Sequence, residues 1–284
     1  MKFSLILATL GRDRELAGFL ESLANQTCQD FELIVIDQNR DGRIDPILEE
    51  FGKRMCIRHV KVDFTGTAPA RDYGIRFVRG DVVAFPDDDC LYETDVLERV
   101  LDRFRKDREL GVLVAGSYDF SRDRFSIGVN STRPTFFTQF NMMGVEFTHF
   151  FRLARINRAD FYMDHDFGIG SKYAGGEGFE MLYRLLRAGA KAFYTPQIRI
   201  YHADKDAYTL GGDRIFQYSA AVGAFIRKFC NQRDPSMGYY ILRKMVVAPL
   251  AKILWSTLSS NGKKRNYYCN SLLGIWQGFL TYRK

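Results

Sequence analysis

The stretch DVVAFPDDD, Asp81 to Asp89, sets an apolar run directly against three adjacent carboxylates. Asp81 to Phe85 reads as a strand, and Pro86 ends it because proline cannot continue a ladder. Asp87, Asp88 and Asp89 repel one another and cost stability unless a cation neutralises them. Alternate residues of an extended chain point the same way, so Asp87 and Asp89 can share one ion. Oxygen ligands at that density suit Mg²⁺ or Mn²⁺, which in turn bridge phosphates. The alternative is a solvated acidic turn.

The flanking sequence repeats the pattern. Phe3 to Ala8, Phe31 to Asp37, Cys56 to Asp63 and Val112 to Ala115 read as further strands. Between them, Arg14 to Gln26 carries Leu16, Phe19, Leu20 and Leu23 at helical spacing. Asp45-Pro46 starts a second helix, Thr67 to Val78 is a third, and Thr94 caps a fourth that bears Val96, Leu97, Val100, Leu101 and Phe104. This alternation predicts an α/β fold with a mostly parallel sheet and helices on both faces. Ligands of such sheets sit beyond the carboxyl ends of the strands. Thr9, Asp37 and Asp87–Asp89 all fall there. Residues 177–188 read as a helix stopped by Gly189, and Ala192 to His202 as an extended segment. Residues after Asp213 are helical, and 117–174, rich in phenylalanine, receives no assignment.

Composition sets bounds. The 284 residues are 46% hydrophobic and 26% charged, which marks a folded chain. The net charge of +7 is unevenly spread: from Arg227 onward eleven Lys/Arg face one acid, while the first 226 residues carry −3. A basic tail on a mildly acidic body predicts an anionic surface as its partner. The segments Leu242 to Trp255 and Leu272 to Tyr282 mix apolar residues with cations and Trp, as helices lying in a membrane surface do; helices packed on the core are the alternative. Nucleic acid is not expected, because no recognised module is present. Five cysteines without a C-x-x-C pair argue against a disulfide framework or zinc site and for a reducing cytosol. The opening residues read as a buried strand, with charges from Arg12 onward, rather than as a leader. No apolar run reaches the length of a spanning helix.

Single residues remain ambiguous by type. His202, closing TPQIRIYH, is either structural or a metal ligand. Glu177 and Glu180 suit the first turn of a helix on dipole grounds, and either also suits a base for an acceptor hydroxyl. Arg71 either pairs with a neighbouring acid or faces a diphosphate.

Taken in order, the motifs resemble those of the family 2 glycosyltransferases, whose fold is the A-type glycosyltransferase fold. LATLGRDRELAGFLESLANQT is similar to the family's first strand and helix, and FELIVIDQN to its second strand. GTAPARDYGIRFVRGDVVAFPDDD resembles the segment leading to its D-x-D, and FGIGSKYAGGEGFEMLYRLLRAGAKAFYTPQIRIYH its acceptor-side block. The resemblance spans about residues 3–202. It implies nucleotide contacts at Ala8, Thr9, Arg12, Asp37, Arg71, Asp87 and Asp88. Metal ligation falls to Asp89 and His202, and the base to Glu177 or Glu180. Gly178 stands where the family often has the basic Asp, and Asp72 where Asn is usual. The implied organisation is a catalytic domain over 1–208, with a nucleotide half at 1–116 and an acceptor half at 117–208, followed by a basic helical extension over 209–284. The implied reaction is an inverting, metal-dependent transfer from a nucleotide-sugar, a UDP-sugar first, to a glycan or polyprenyl-linked acceptor at the inner face of the membrane. Two alternatives stand beside it. One is a non-catalytic nucleotide-sugar-binding or scaffold homologue. The other is a sugar-phosphate nucleotidyltransferase, disfavoured because TLGRDRE holds one glycine where a triphosphate-cradling loop needs several.

Overall fold

Every residue of FSLILAT except Ala8 is buried, and the run forms β1 (Phe3–Thr9) at the centre of a parallel group of strands. The computed structural model describes residues 1–121, 123–203 and 211–283. The chain divides into two compact units, Met1–Met163 with Met181–Asp204, and Asp164–Glu180 with Lys205–Lys284. The boundary expected at 208/209 lies outside the described residues.

In the first unit β1 is followed by α1 (Arg14–Ala24), β2 (Phe31–Asp37), α2 (Asp45–Phe51), β3 (Ile57–Lys61), α3 (Thr67–Ile75) and β4 (Val82–Ala84). Then come β5 (Cys90–Tyr92), α4 (Val96–Lys106), β6 (Leu110–Tyr118), β7 (Thr135–Phe137) and β8 (His149–Arg152). After α5 (Glu177–Arg187), β9 (Lys191–His202) completes the sheet. The strand order is β3-β2-β1-β4-β8-β6-β9-β5, with β7 added on β9. Strands β1, β2, β3 and β4 are mutually parallel, as are β6 and β9. The α/β architecture is therefore the one the alternation predicts.

Burial on both faces explains the unbroken apolar strands. Phe3, Leu5 and Leu7 join Leu16, Phe19, Leu20 and Leu23 of α1, and Val96, Leu97, Val100, Leu101 and Phe104 of α4, in one core cluster. On the opposite face α3 lies close to the sheet at Gly74. A Cβ there would overlap Ile6 Cγ2 and lie 3.3 Å from Ile36 Cγ1, so the G of ARDYGI sets the height of α3 over the strands. The fourth helix is not capped by Thr94. Asp95 occupies the N-cap, and its carboxylate pairs with Arg99 (2.7 Å) one turn along.

The unassigned span 117–174 contains β7 and β8. The latter inserts antiparallel between β4 and β6, pairing Val83 with Phe151 and Leu113 with Phe150. Phe147, Phe150 and Phe151 are fully buried, which accounts for part of the phenylalanine-rich composition, while Phe136 and Phe140 are exposed.

In the second unit the first turn of α5, Glu177 to Glu180, joins α6 (Gly212–Asn231), α7 (Met237–Tyr240), a π-helical stretch Ile241–Val247, α8 (Ala248–Leu258) and α9 (Gly262–Thr281). Helices α6 and α9 approach backbone to backbone. A Cβ on Gly223 would meet Ile275 O, and one on Gly278 would meet Ala220 O. Within this unit Lys228 of α6 is buried and donates to Asp164 Oδ2 (2.6 Å) and Glu180 Oε1 (2.7 Å).

Candidate active site

The carboxyl ends of β1, β2 and β4 bring the polar residues of the first unit to one rim. Thr9 and Asp37 are register partners at the ends of β1 and β2. Ala8, one residue earlier, is the strand's single partly exposed position. Beyond β4 and Pro86 the chain enters Asp87–Asp89 and turns at once into β5, which pairs antiparallel with β9. Cys90 sits opposite His202 in that ladder. A histidine 113 positions from Asp89 in the chain is thereby held beside it, His202 Nε2 lying 3.3 Å from Asp89 Oδ1. The imidazole stacks on Phe147, with centroids 5.0 Å apart at 18°.

Two arginines serve the three carboxylates. Arg71, 4% exposed, donates to Asp87 Oδ1 (2.6 Å) and lies 2.8 Å from Glu146 Oε1 through its other amino group. Arg12 Nη1 bonds Asp88 and lies 2.9 Å from Asp89 Oδ2. Thr9 Oγ1 donates to Asp88 Oδ2 (2.7 Å). Asp37 is fully buried: its Oδ1 accepts from the backbone and side chain of Asn39 (2.9 and 2.8 Å), and its Oδ2 faces His59 Nε2 (2.9 Å). Asp72 Oδ1 accepts from Met163 N (3.0 Å), a bond that the more usual Asn can also make through its carbonyl.

Burial pushes Asp87 and Asp88 above the ordinary carboxylate range, against the pull of Arg71 on the first and of Thr9 and Arg12 on the second. Burial alone would lower His202, but the Asp89 carboxylate outweighs it and raises the imidazole. The strip is thus charge-dense and partly buried, a setting in which a bound cation offsets the repulsion among its carboxylates.

Asp87, Asp89 and His202 each turn one ligand atom inward, all within 4.8 Å of one another. A divalent ion holding each donor at about 2.1 Å needs them within about 4.2 Å, so a small side-chain rotation completes the set. Two carboxylate oxygens and an imidazole nitrogen fit Mn²⁺ or Mg²⁺. A second group, Asp37, Asp45 and His59, has similar spacing, with Lys61 Nζ 2.6 Å from Asp45. Asn39, Arg40, Lys61, Phe64 and Tyr73 line an open groove of about 640 Å³.

Glu177 and Glu180 belong to the second unit. Glu180 is fully buried on Lys228, and Glu177 is 5% exposed on the same turn. Sequence reasoning passed over Glu146, His59, Asp164 and Lys228. Each acts through a partner distant in the chain, and no local pattern announces it.

These features place the chain among α/β proteins that present a D-x-D carboxylate strip at the rim of a nucleotide-type sheet. A family model for glycosyl transferase family 2 matches residues 4–165, and the chain belongs to that family. A PGL/p-HBAD biosynthesis glycosyltransferase of Mycobacterium bovis (strain BCG / Pasteur 1173P2) is 37% identical over 106 residues, covering 34% of this chain and 40% of the relative. The chain thus spans about two fifths of the length of the curated relatives it matches. Among solved structures, a mannosyltransferase from Pyrobaculum calidifontis in complex with GDP-Man and Mn²⁺ superposes with a TM-score of 0.67 at 12% identity, over 100% of this chain and 88% of that one. S. aureus TarS 1–349 in complex with UDP-GlcNAc gives 0.64 at 15% identity, over 98% and 92%. Those likenesses bear on the fold, which is the A-type glycosyltransferase fold.

Proposed function

We propose that this chain is a metal-dependent, inverting glycosyltransferase that moves a sugar from a nucleotide-sugar, a UDP-sugar first, to a hydroxyl of a glycan or polyprenyl-linked acceptor. The observation that carries the reading is the convergence of Asp87, Asp89 and His202 beside Thr9 and Asp37. Ala8, Thr9 and Asp37 take the nucleoside side of the donor, with the groove at Asn39 and Tyr73 supporting that placement. Arg12 and Arg71 flank the nucleotide, held by Asp88 and Asp87, and Asp87 itself takes the ribose or uracil side. Asp89 and His202 hold the ion, Mn²⁺ or Mg²⁺, whose chemistry there is to neutralise charge on the leaving diphosphate.

Glu177 is the base of this reading. It takes the proton of the acceptor hydroxyl as that oxygen bonds to the anomeric carbon from the face opposite the leaving group. The bond from that carbon to the phosphate oxygen breaks, its electron pair leaves with the nucleoside diphosphate, and the configuration inverts. Glu180 is the poorer candidate, because Lys228 already occupies its carboxylate inside the second unit. We read the place of action as the inner face of a membrane, in cell-surface polysaccharide assembly, reached through the basic helices of 209–284.

The test is UDP release from a panel of UDP-sugars with Mn²⁺ or EDTA. Metal-dependent release, abolished in Asp89→Ala and reduced at least about hundredfold in Glu177→Ala, is the expected outcome. Metal-dependent UDP binding without release from any donor favours the binding homologue that Gly178 brings into view. Absence of UDP binding overturns the assignment.

A further inference from the structure

The helix that runs from Met237 through the π-helical stretch into α8 carries two apolar stripes. Met245, Pro249 and Ser256 are buried within the second unit. Leu242, Val246, Leu250, Leu254 and Leu258 recur every fourth residue and stand in solvent, Leu258 at 73%, with Trp255 beside them at 71%. Helix α9 repeats the arrangement. Gly274, Ile275 and Gly278 are buried, while Leu273, Trp276 and Leu280 are exposed. A surface helix ordinarily has one apolar stripe, turned to the core, and a polar remainder. A second stripe in water signals contact with another apolar phase.

Charge selects the occupant. Arg243, Lys244 and Lys252 accompany the stripe, Lys263, Lys264 and Arg265 open α9, and no acid follows Asp234. Two copies of so cationic a surface repel each other, whereas anionic headgroups attract it. Among the described residues no helix is long and apolar enough to cross a membrane. Helices of this kind lie in the interface plane, with the apolar side among the acyl chains and cations at the headgroups.

We propose that Leu242, Val246, Leu250, Leu254, Trp255 and Leu258, together with the exposed stripe of α9, form an insertion face that lies in the plane of an anionic leaflet. The inference deepens the membrane reading above and is independent of transfer chemistry. Because Leu250 and Leu254 are more than half exposed, replacing them leaves the packing of the second unit intact.

The experiment is co-sedimentation of the full chain with vesicles of phosphatidylglycerol and phosphatidylcholine, against vesicles of phosphatidylcholine alone, with tryptophan emission as second readout. The wild type binds the anionic vesicles with a blue shift and binds the zwitterionic ones weakly. Leu250→Glu/Leu254→Glu and Lys263→Glu/Lys264→Glu/Arg265→Glu each lose about tenfold or more in binding, with unchanged circular dichroism. A wild type that ignores anionic vesicles overturns the proposal, as does a stripe variant that binds like the wild type. A stable lipid-free dimer that Leu250→Glu/Leu254→Glu converts to monomer also overturns it, the occupant then being a second copy. Vesicle binding alongside failed UDP release would count against the transfer reading alone.

Discussion

Lys228 sets one ammonium between two carboxylates, Asp164 and Glu180, with all three side chains almost wholly out of water. Removing one member of a buried ion group leaves charge without compensation. Lys228→Met should therefore cost about 3–5 kcal/mol in urea unfolding, while the triple variant that adds Asp164→Asn and Glu180→Gln should recover much of it. His149 gives a pH-dependent counterpart. It is buried, with Nε2 3.3 Å from Met143 O, and burial lowers it from its ordinary 6.5 to about 4. The unfolded chain binds this proton more readily than the folded one, so stability is full above about 6.5 and is lost as pH falls toward about 4. Over that window His149 contributes up to about 3 kcal/mol, and unfolding midpoints at pH 7 and pH 5 should differ by less in His149→Gln. At this scale Thr9, Asp37 and the D-x-D strip were legible in the sequence, because polar residues closing apolar strands stand out. Lys228, Glu146 and His59 were not, since what makes them informative is a partner from another part of the chain.

Among the elements, α3 shows how one missing side chain fixes a distance. Gly74→Ala places a methyl against Ile6 and Ile36, and overpacking of this kind should lower stability by about 1–3 kcal/mol. Thermal unfolding of Gly74→Ala, Ile6→Ala and the double variant measures the coupling. A double variant no worse than Ile6→Ala alone identifies the clash as the cause. The early strands and helices were legible because two-sided burial and helical spacing leave plain patterns. Strand β5 was not, being three residues long and hidden behind the carboxylates. Strand β8 escaped as well. Phe150 and Phe151 are buried on opposite sides of a central strand, so no alternation of period two survives.

Across the molecule, the second unit depends on close backbone contact between α6 and α9. A methyl on Gly278 would run into the backbone of Ala220, at its O, C and Cα, so Gly278→Ala should separate the two helices at a cost of about 3 kcal/mol or more. Limited proteolysis should then release fragments from the region after residue 211 before it cuts the first unit. The tail's helical character and charge were legible in the sequence, but its split into a core-facing and a water-facing stripe needed the burial of each turn.

The pairing of Cys90 with His202 also bears on how such a chain tolerates insertions and deletions. The ladder makes residue count, rather than residue identity alone, part of the site. One residue removed from β9 ahead of His202 turns the imidazole to the other face of the sheet, and one added between Asp89 and Cys90 carries the carboxylates a step away from it. A change of length beside the carboxylates therefore dismantles the site even where every one of its residues is kept.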